Sequence, residues 1–202
     1  MISPGEAAER GGARLWNVSP HPQLSSAVAR GPGGLPVTTA EAAVTALYQA
    51  HALGMIRMAH IMLGDRASAE DVVQEAFCGL YRRWSHLADY GSAVPYVRSA
   101  VLNRCRSVLR RRTTSLAPRG LGGQPEPVIS AESAVLTREE RDEIMRAVRR
   151  LPQRQREALV LRFYLDLSAE ETATTMGISP SSVRSATHRA LASLGRMLQE
   201  QS

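Results

Sequence analysis

Lysine is absent from this chain of 202 residues: all 25 basic positions are arginine, set against 19 acidic residues. The resulting net charge is +6 at pH 7, and this excess of permanent arginine charge favours a polyanionic partner such as nucleic acid or an acidic membrane surface. Cysteine is nearly absent too. Cys78 and Cys105 are the only two, too few for a disulfide framework and in keeping with a reducing cytoplasm. Aromatic residues make up 4%, which argues against a platform of rings that stacks single-stranded bases as the main binding mode. No apolar run approaches the ~18 residues of a membrane span. The first residues include Glu6, Glu9 and Arg10 and lack the apolar block of ~7–15 residues that marks a secretory leader. The expectation is therefore a cytoplasmic protein that does not engage a membrane.

Catalytic signatures are missing as well. The histidines His21, His51, His60, His86 and His188 are scattered, with no metal-ligand spacing to one another or to the cysteines. Gly120, Gly122 and Gly123 neither follow a strand nor open a helix, so they do not form a phosphate loop. The sequence predicts no catalytic residue, no metal and no cofactor. An enzyme is the reading set aside first.

What is present is helical periodicity in two blocks. Residues 1–37 are rich in Gly, Pro, Ala and Ser without a sustained period and predict a disordered N-terminal extension. From 38 to 112 apolar residues recur at helical spacing: Val44, Leu47, Tyr48, Leu53, Met55, Ile56, Ala59, Ile61 and Met62 in a first helix ended by Gly64 and Asp65. Ser68 ahead of Glu70 and Asp71 predicts the start of a second. Its apolar side is Ala69, Val72, Val73, Ala76, Phe77, Leu80, Tyr81 and Trp84. His86 to Ser92 reads as a loop, and Pro95 suits the first turn of a third helix with Val97, Ala100, Val101, Val108 and Leu109. Residues 113–134 carry Pro118, Gly120, Gly122, Gly123, Pro125 and Pro127, the composition of a flexible linker. The second block, 135–202, predicts four helices, near 138–150, 153–165, 169–176 and 180–198. Their start signals are a capping box at Thr137 and Glu140, Pro152, a second box at Ser168 and Glu171, and Ser179 followed by Pro180. Both helical blocks are net positive, +4 and +2, and the linker between them is −1. With no strand-period segment, the fold class is all-α: two small helical modules on a flexible tether.

The strongest local pattern runs from Leu167 to Leu198. A short helix stops near Met176, Gly177 supplies a left-handed cap, Ile178 anchors a turn, and a second helix begins after Ser179. This is a helix-turn-helix. Val183, Ala186, Ala190, Leu191, Leu194, Met197 and Leu198 form its buried stripe. Ser181, Ser182, Arg184, Ser185, His188 and Arg189 lie off that stripe, where a recognition helix meets base edges and phosphates in the major groove. Arg184 suits a guanine edge, and the helix N-terminus suits a phosphate oxygen.

Both blocks together resemble the extracytoplasmic-function (group 4) sigma factors, the smallest sigma-70-type subunits of bacterial RNA polymerase. The resemblance rests on GDRASAEDVVQEAFCGLYRRW (Gly64 to Trp84), YVRSAVLNRCRSVLRRR (Tyr96 to Arg112) and LPQRQREALVLRFYLDLSAEETATTMGISPSSVRSATHRA (Leu151 to Ala190), in that order across a Pro/Gly linker. It implies that residues 38–112 are sigma region 2, a three- or four-helix bundle, and 135–202 are region 4. Region 2 is then expected to dock on the clamp helices of the polymerase β′ subunit and to open and read the −10 promoter element. Region 4 is expected to bind the β flap and read the −35 element, while the linker threads toward the RNA exit path. An anti-sigma protein is a further partner the resemblance suggests.

The residues can be placed within that expectation. Asp71, Gln74 and Glu75 form an acidic and amide face with Cys78 on an otherwise basic module, which suits a protein partner rather than DNA; by resemblance they bind polymerase. Asn103 falls where the family holds an unstacked base of the non-template strand, and unstacking costs a few kcal/mol that a pocket must offset. Arg98, Arg104, Arg106, Arg110, Arg111 and Arg112 surround it and suit phosphates. Ser107 departs from the family, in which many members carry an acidic residue there. The runner-up reading is a stand-alone helix-turn-helix regulator that binds duplex DNA without polymerase; residues 38–112 show neither the strands nor the phosphoacceptor arrangement of a receiver domain.

Overall fold

The computed structural model describes residues 40–87, 89–114 and 138–200. The expected extension, the linker beyond Thr114 and the Thr137 capping box lie outside the described residues. Every regular element among the described residues is helical.

Helix α1 spans Ala40–Leu63 and buries Val44, Leu47, Met55, Met58, Ala59 and Met62. Gly64 ends it at φ +83, its amide donating to the His60 carbonyl at 2.8 Å. A left-handed residue there reverses the chain without steric penalty because glycine has no Cβ. Helix α2, Arg66–Arg83, follows at once. The cap expected at Ser68 is instead Asp65: its backbone is extended, and its Oδ1 accepts the Ser68 amide at 2.8 Å. The tight turn at Gly64 leaves Asp65 as the first residue free to cap. The stretch expected as a loop holds two single 3-10 turns, Trp84–His86 and Tyr90–Ser92. Helix α3, Ala93–Thr114, runs past the expected end at Arg112. There the Thr113 and Thr114 hydroxyls both donate to the Arg110 carbonyl, at 2.8 and 2.9 Å, satisfying the last turn.

In the second block, α4 spans Arg138–Arg150. Helix α5 spans Gln153–Leu159 and widens into a π turn over Val160–Tyr164, where one continuous α-helix was expected. The Leu165 amide reaches back five residues to the Val160 carbonyl at 3.2 Å. Pro152 is the cap of α5 rather than its first helical residue. Helices α6, Ala169–Met176, and α7, Pro180–Gln199, complete the chain.

The two helical sets are packed together. Their buried apolar residues, from Met58, Leu80 and Leu102 in the first to Leu159, Val160 and Val183 in the second, form one continuous cluster. Helix α3 lies against α6, and α1 against α4 and the π turn. The Arg149 side chain of α4 covers Gly64 at the end of α1. The Tyr164 hydroxyl faces Arg57 of α1, and burial pushes its pKa up to about 12.

Candidate nucleic-acid interface

Local chemistry builds the helix-turn-helix. The Ser168 hydroxyl accepts the Glu171 amide at 3.0 Å, and the Glu171 carboxylate accepts the Ser168 amide at 2.8 Å, a reciprocal box that opens α6. Gly177 closes α6 at φ 69 and ψ 42, and the amides of Gly177 and Ile178 both return to the Ala173 carbonyl, at 2.8 and 3.1 Å. Ser179 then caps α7, accepting the Ser182 amide at 3.2 Å, and Pro180 occupies its first turn. Val183, Ala186, Ala190 and Leu194 of α7 are buried; Leu191, Met197 and Leu198 pack on the rim of the core.

That packing orients the rest of α7. Ser181, Ser182, Arg184, Ser185, His188 and Arg189 are all exposed along one side of the helix. At its N-terminus the Ser179 hydroxyl lies 2.9 Å from that of Ser181 and 2.8 Å from that of Ser182. With the Ser182 amide capped by Ser179 and the Val183 amide returned to the Ser179 carbonyl at 3.1 Å, it is these hydroxyls that suit a phosphate oxygen there. The Arg184 guanidinium is 3.8 Å from Glu170 of α6, with both side chains about two-thirds exposed. Such a pair is weak in water and readily exchanged for another acceptor.

The basic end of α3 is more occupied than its sequence suggests. Arg110 and Arg111 are exposed at the helix end, Arg111 donating to the Ser107 carbonyl at 3.4 Å. Arg112 ties that end to the α1–α2 junction: it donates to the Leu63 carbonyl at 2.8 Å, to the Ser68 hydroxyl at 2.9 Å and to the Asp65 carboxylate. Burial raises the Asp65 pKa, but the Ser68 amide and Arg112 together outweigh it and hold it below the ordinary value. Arg104 pairs with Glu75 of α2 at 2.5 Å and also reaches its carbonyl at 3.3 Å. The expected polymerase face and the expected DNA face therefore meet at this pair. Arg98 is half-buried, and desolvation lowers its pKa against the opposing pull of Glu171. Asn103 is exposed, its Oδ1 accepting from Arg106 at 3.1 Å. Arg106 makes a bidentate pair with Glu157 of α5.

On α2, Asp71, Gln74, Glu75 and Cys78 are exposed together, opposite the buried Val72, Val73, Ala76, Phe77 and Leu80. Tyr81, expected on the apolar side, is 52% exposed and falls on the acidic face by its spacing from Gln74 and Cys78. Leu53 is likewise exposed rather than part of the α1 stripe. The buried Glu157 is the functional candidate that sequence reasoning missed. Cys105 sits close to it, and burial pushes its thiol up to about 12, so it stays protonated and unreactive at neutral pH. The described residues contain no cluster of side chains suited to a metal ion and no helix long and apolar enough to cross a membrane.

Residues 47–114 match the Sigma-70 region 2 family, and residues 141–194 match Sigma-70, region 4. The chain is 31% identical over 145 residues to an RNA polymerase sigma-E factor of Streptomyces avermitilis, covering 72% of this chain and 79% of that one. It is 32% identical over 166 residues to the ECF RNA polymerase sigma factor SigL of Mycobacterium tuberculosis, covering 80% and 92%. Its fold is similar to that of CnrH in its complex with the cytosolic domain of CnrY, with a TM-score of 0.60 at 20% identity over 81% of this chain and 96% of that one. It is also similar to the sigma factor RpoE in complex with the anti-sigma factor NepR from Bartonella quintana, with a TM-score of 0.59 at 18% identity, covering 78% and 92%.

Proposed function

Since this chain belongs to the extracytoplasmic-function sigma factors of the sigma-70 family, we propose how its own surfaces divide the work of promoter recognition. It is an alternative sigma factor, not a stand-alone regulator. Its two domains take residues 38–112 and 135–202. The acidic face of α2, with Asp71, Gln74 and Glu75, docks on the β′ clamp helices of core polymerase. The helical set α4–α7 meets the β flap and lays α7 in the major groove of the −35 element. There Arg184 reads a base edge, while Ser181, Ser182, Ser185, His188 and Arg189 reach neighbouring edges and phosphates. The end of α3 engages the −10 element. Asn103 receives an unstacked base, and Arg98, Arg104, Arg106, Arg110, Arg111 and Arg112 supply the charge that draws in the strand. The subunit has no catalytic chemistry, uses no cofactor and works in the cytoplasm; polymerase performs the reaction. An anti-sigma protein that covers these same faces is its regulator.

The observation that carries this reading is the exposed polar side of α7, presented within a chain that also holds region 2. Two small readers packed on each other, as in the free chain, bind DNA weakly. Docking on one large partner fixes their separation and raises the effective concentration of the second reader once the first has bound. Run-off transcription with purified core, with and without this protein, on fragments of a GC-rich genome tests it. New start sites that require both the protein and core are expected. Sequence-specific duplex binding without core, and no added transcripts with it, would overturn the reading.

A further inference from the structure

Arg106, assigned above to DNA, is occupied inside the molecule by a carboxylate of the other domain, while Arg98, also assigned to DNA, is half-buried with its Nε left without a hydrogen-bond partner. Arg106 crosses from α3 to α5, where Nε donates to Glu157 Oε1 at 2.9 Å and Nη2 to Oε2 at 2.7 Å. The Glu157 side chain is 2% exposed and is held from its own helix by Gln153 at 2.8 Å. The same guanidinium reaches the Met176 carbonyl at the end of α6 at 3.4 Å and Asn103 at 3.1 Å. Arg98 lies in the field of Glu171 on α6. A planar fork gripping two oxygens at these distances is also how a guanidinium grips a phosphate.

We propose that Glu157 stands in for a promoter phosphate: its carboxylate clasps Arg106, holds the free chain closed and keeps Arg106 off DNA until core polymerase separates the two domains. The idea rests on the assignment of Arg106 to the −10 element. One guanidinium cannot serve both acceptors, because both edges of its fork are engaged. A carboxylate this deeply buried depends on its cations, Arg106 across the interface and Arg156 beside it on α5, and losing Arg106 weakens the closed state. The clasp therefore makes and breaks as a unit, giving a closed and an open state rather than a continuum. DNA then binds only the open fraction, and its apparent affinity falls by that fraction.

The test uses the full chain without core. Fluorophores go on Cys78, exposed on α2, and on Ala192→Cys, exposed on α7; energy transfer between them reports the separation of the domains. Binding of a short single strand of mixed sequence at low salt is measured in parallel. The wild-type chain is expected to show one narrow, short separation. Glu157→Gln keeps the shape and loses the charge; it is expected to lengthen and broaden the separation and to tighten strand binding about 10-fold. Glu171→Gln retains an oxygen for the Ser168 capping box and removes the carboxylate facing Arg98. It is expected to move both readouts the same way by less, and it carries the test if Glu157→Gln loses its helical circular dichroism. A wild-type separation that is already broad, or a natively helical variant unchanged in both separation and affinity, overturns the clasp. A lack of core-dependent transcripts would overturn the sigma reading while leaving the separation readout intact.

Discussion

Single side chains decide both the reading surface and part of the stability. Arg184 stands on the solvent side of α7, loosely paired with Glu170 at 3.8 Å, a contact that costs little to exchange for another acceptor. Arg184→Ala is expected to weaken −35 recognition by about 1–3 kcal/mol and to relax preference at the base it reads. Transcription from a set of −35 variants checks this, and an unchanged preference removes Arg184 from the reading set. His60 tests the packing of the two domains instead. Burial, then the Arg149 guanidinium across the interface, lower its pKa below 6.5, against the opposing pull of Asp65, with Arg66 adding to the lowering. As pH falls, the unfolded chain takes up this proton first. The contribution of His60 to stability is therefore complete above pH 6.5 and is lost as pH falls through the folded pKa. Thermal melts between about pH 5 and 8 are expected to show this acid-side loss in the wild type and a smaller one in His60→Gln. Equal profiles would contradict it. Asp65, with its pKa held below 3.8, adds a similar loss only at lower pH.

At the scale of elements, helix ends follow from local chemistry. Gly177 carries φ 69 in open space, with nothing within 4 Å of an added Cβ. Gly177→Ala therefore costs backbone strain alone, about 1 kcal/mol. The urea midpoint should fall with an unchanged slope; an unshifted midpoint would show that the turn does not need its left-handed residue. The helix-turn-helix was legible in the sequence because Ser168, Glu171, Gly177, Ser179 and Pro180 act on neighbours a few residues away. All six residues expected on its polar side are exposed for the same reason. The start of α2 was misplaced because two cap-type residues, Asp65 and Ser68, are three apart and the one earlier in the chain takes the role. The π turn at Val160–Tyr164 has no local signature. Leu53 is apolar by type but lies on the side of α1 away from Met55 and Met58, and Tyr81, four residues from the buried Phe77, falls on the exposed face of α2. Glu157 could not be read as buried, because its partner lies 51 residues away in the chain.

The whole molecule combines two basic helical sets, each with its own polar surface, around one core. The sequence reads as two modules on a flexible tether and leaves their packing open; the structure is a compact pair, joined through α3 on α6 and α1 on α4. Promoter reading by a sigma factor requires two elements at a fixed separation, and neither set can fix that separation alone. Selection from a randomised promoter library by the reconstituted holoenzyme tests this most directly. The account predicts two conserved blocks at constant spacing, one whose preference changes with Asn103→Ala and the other with Arg184→Ala, and no enrichment without core. A single block, or the same enrichment by the protein alone, would contradict it.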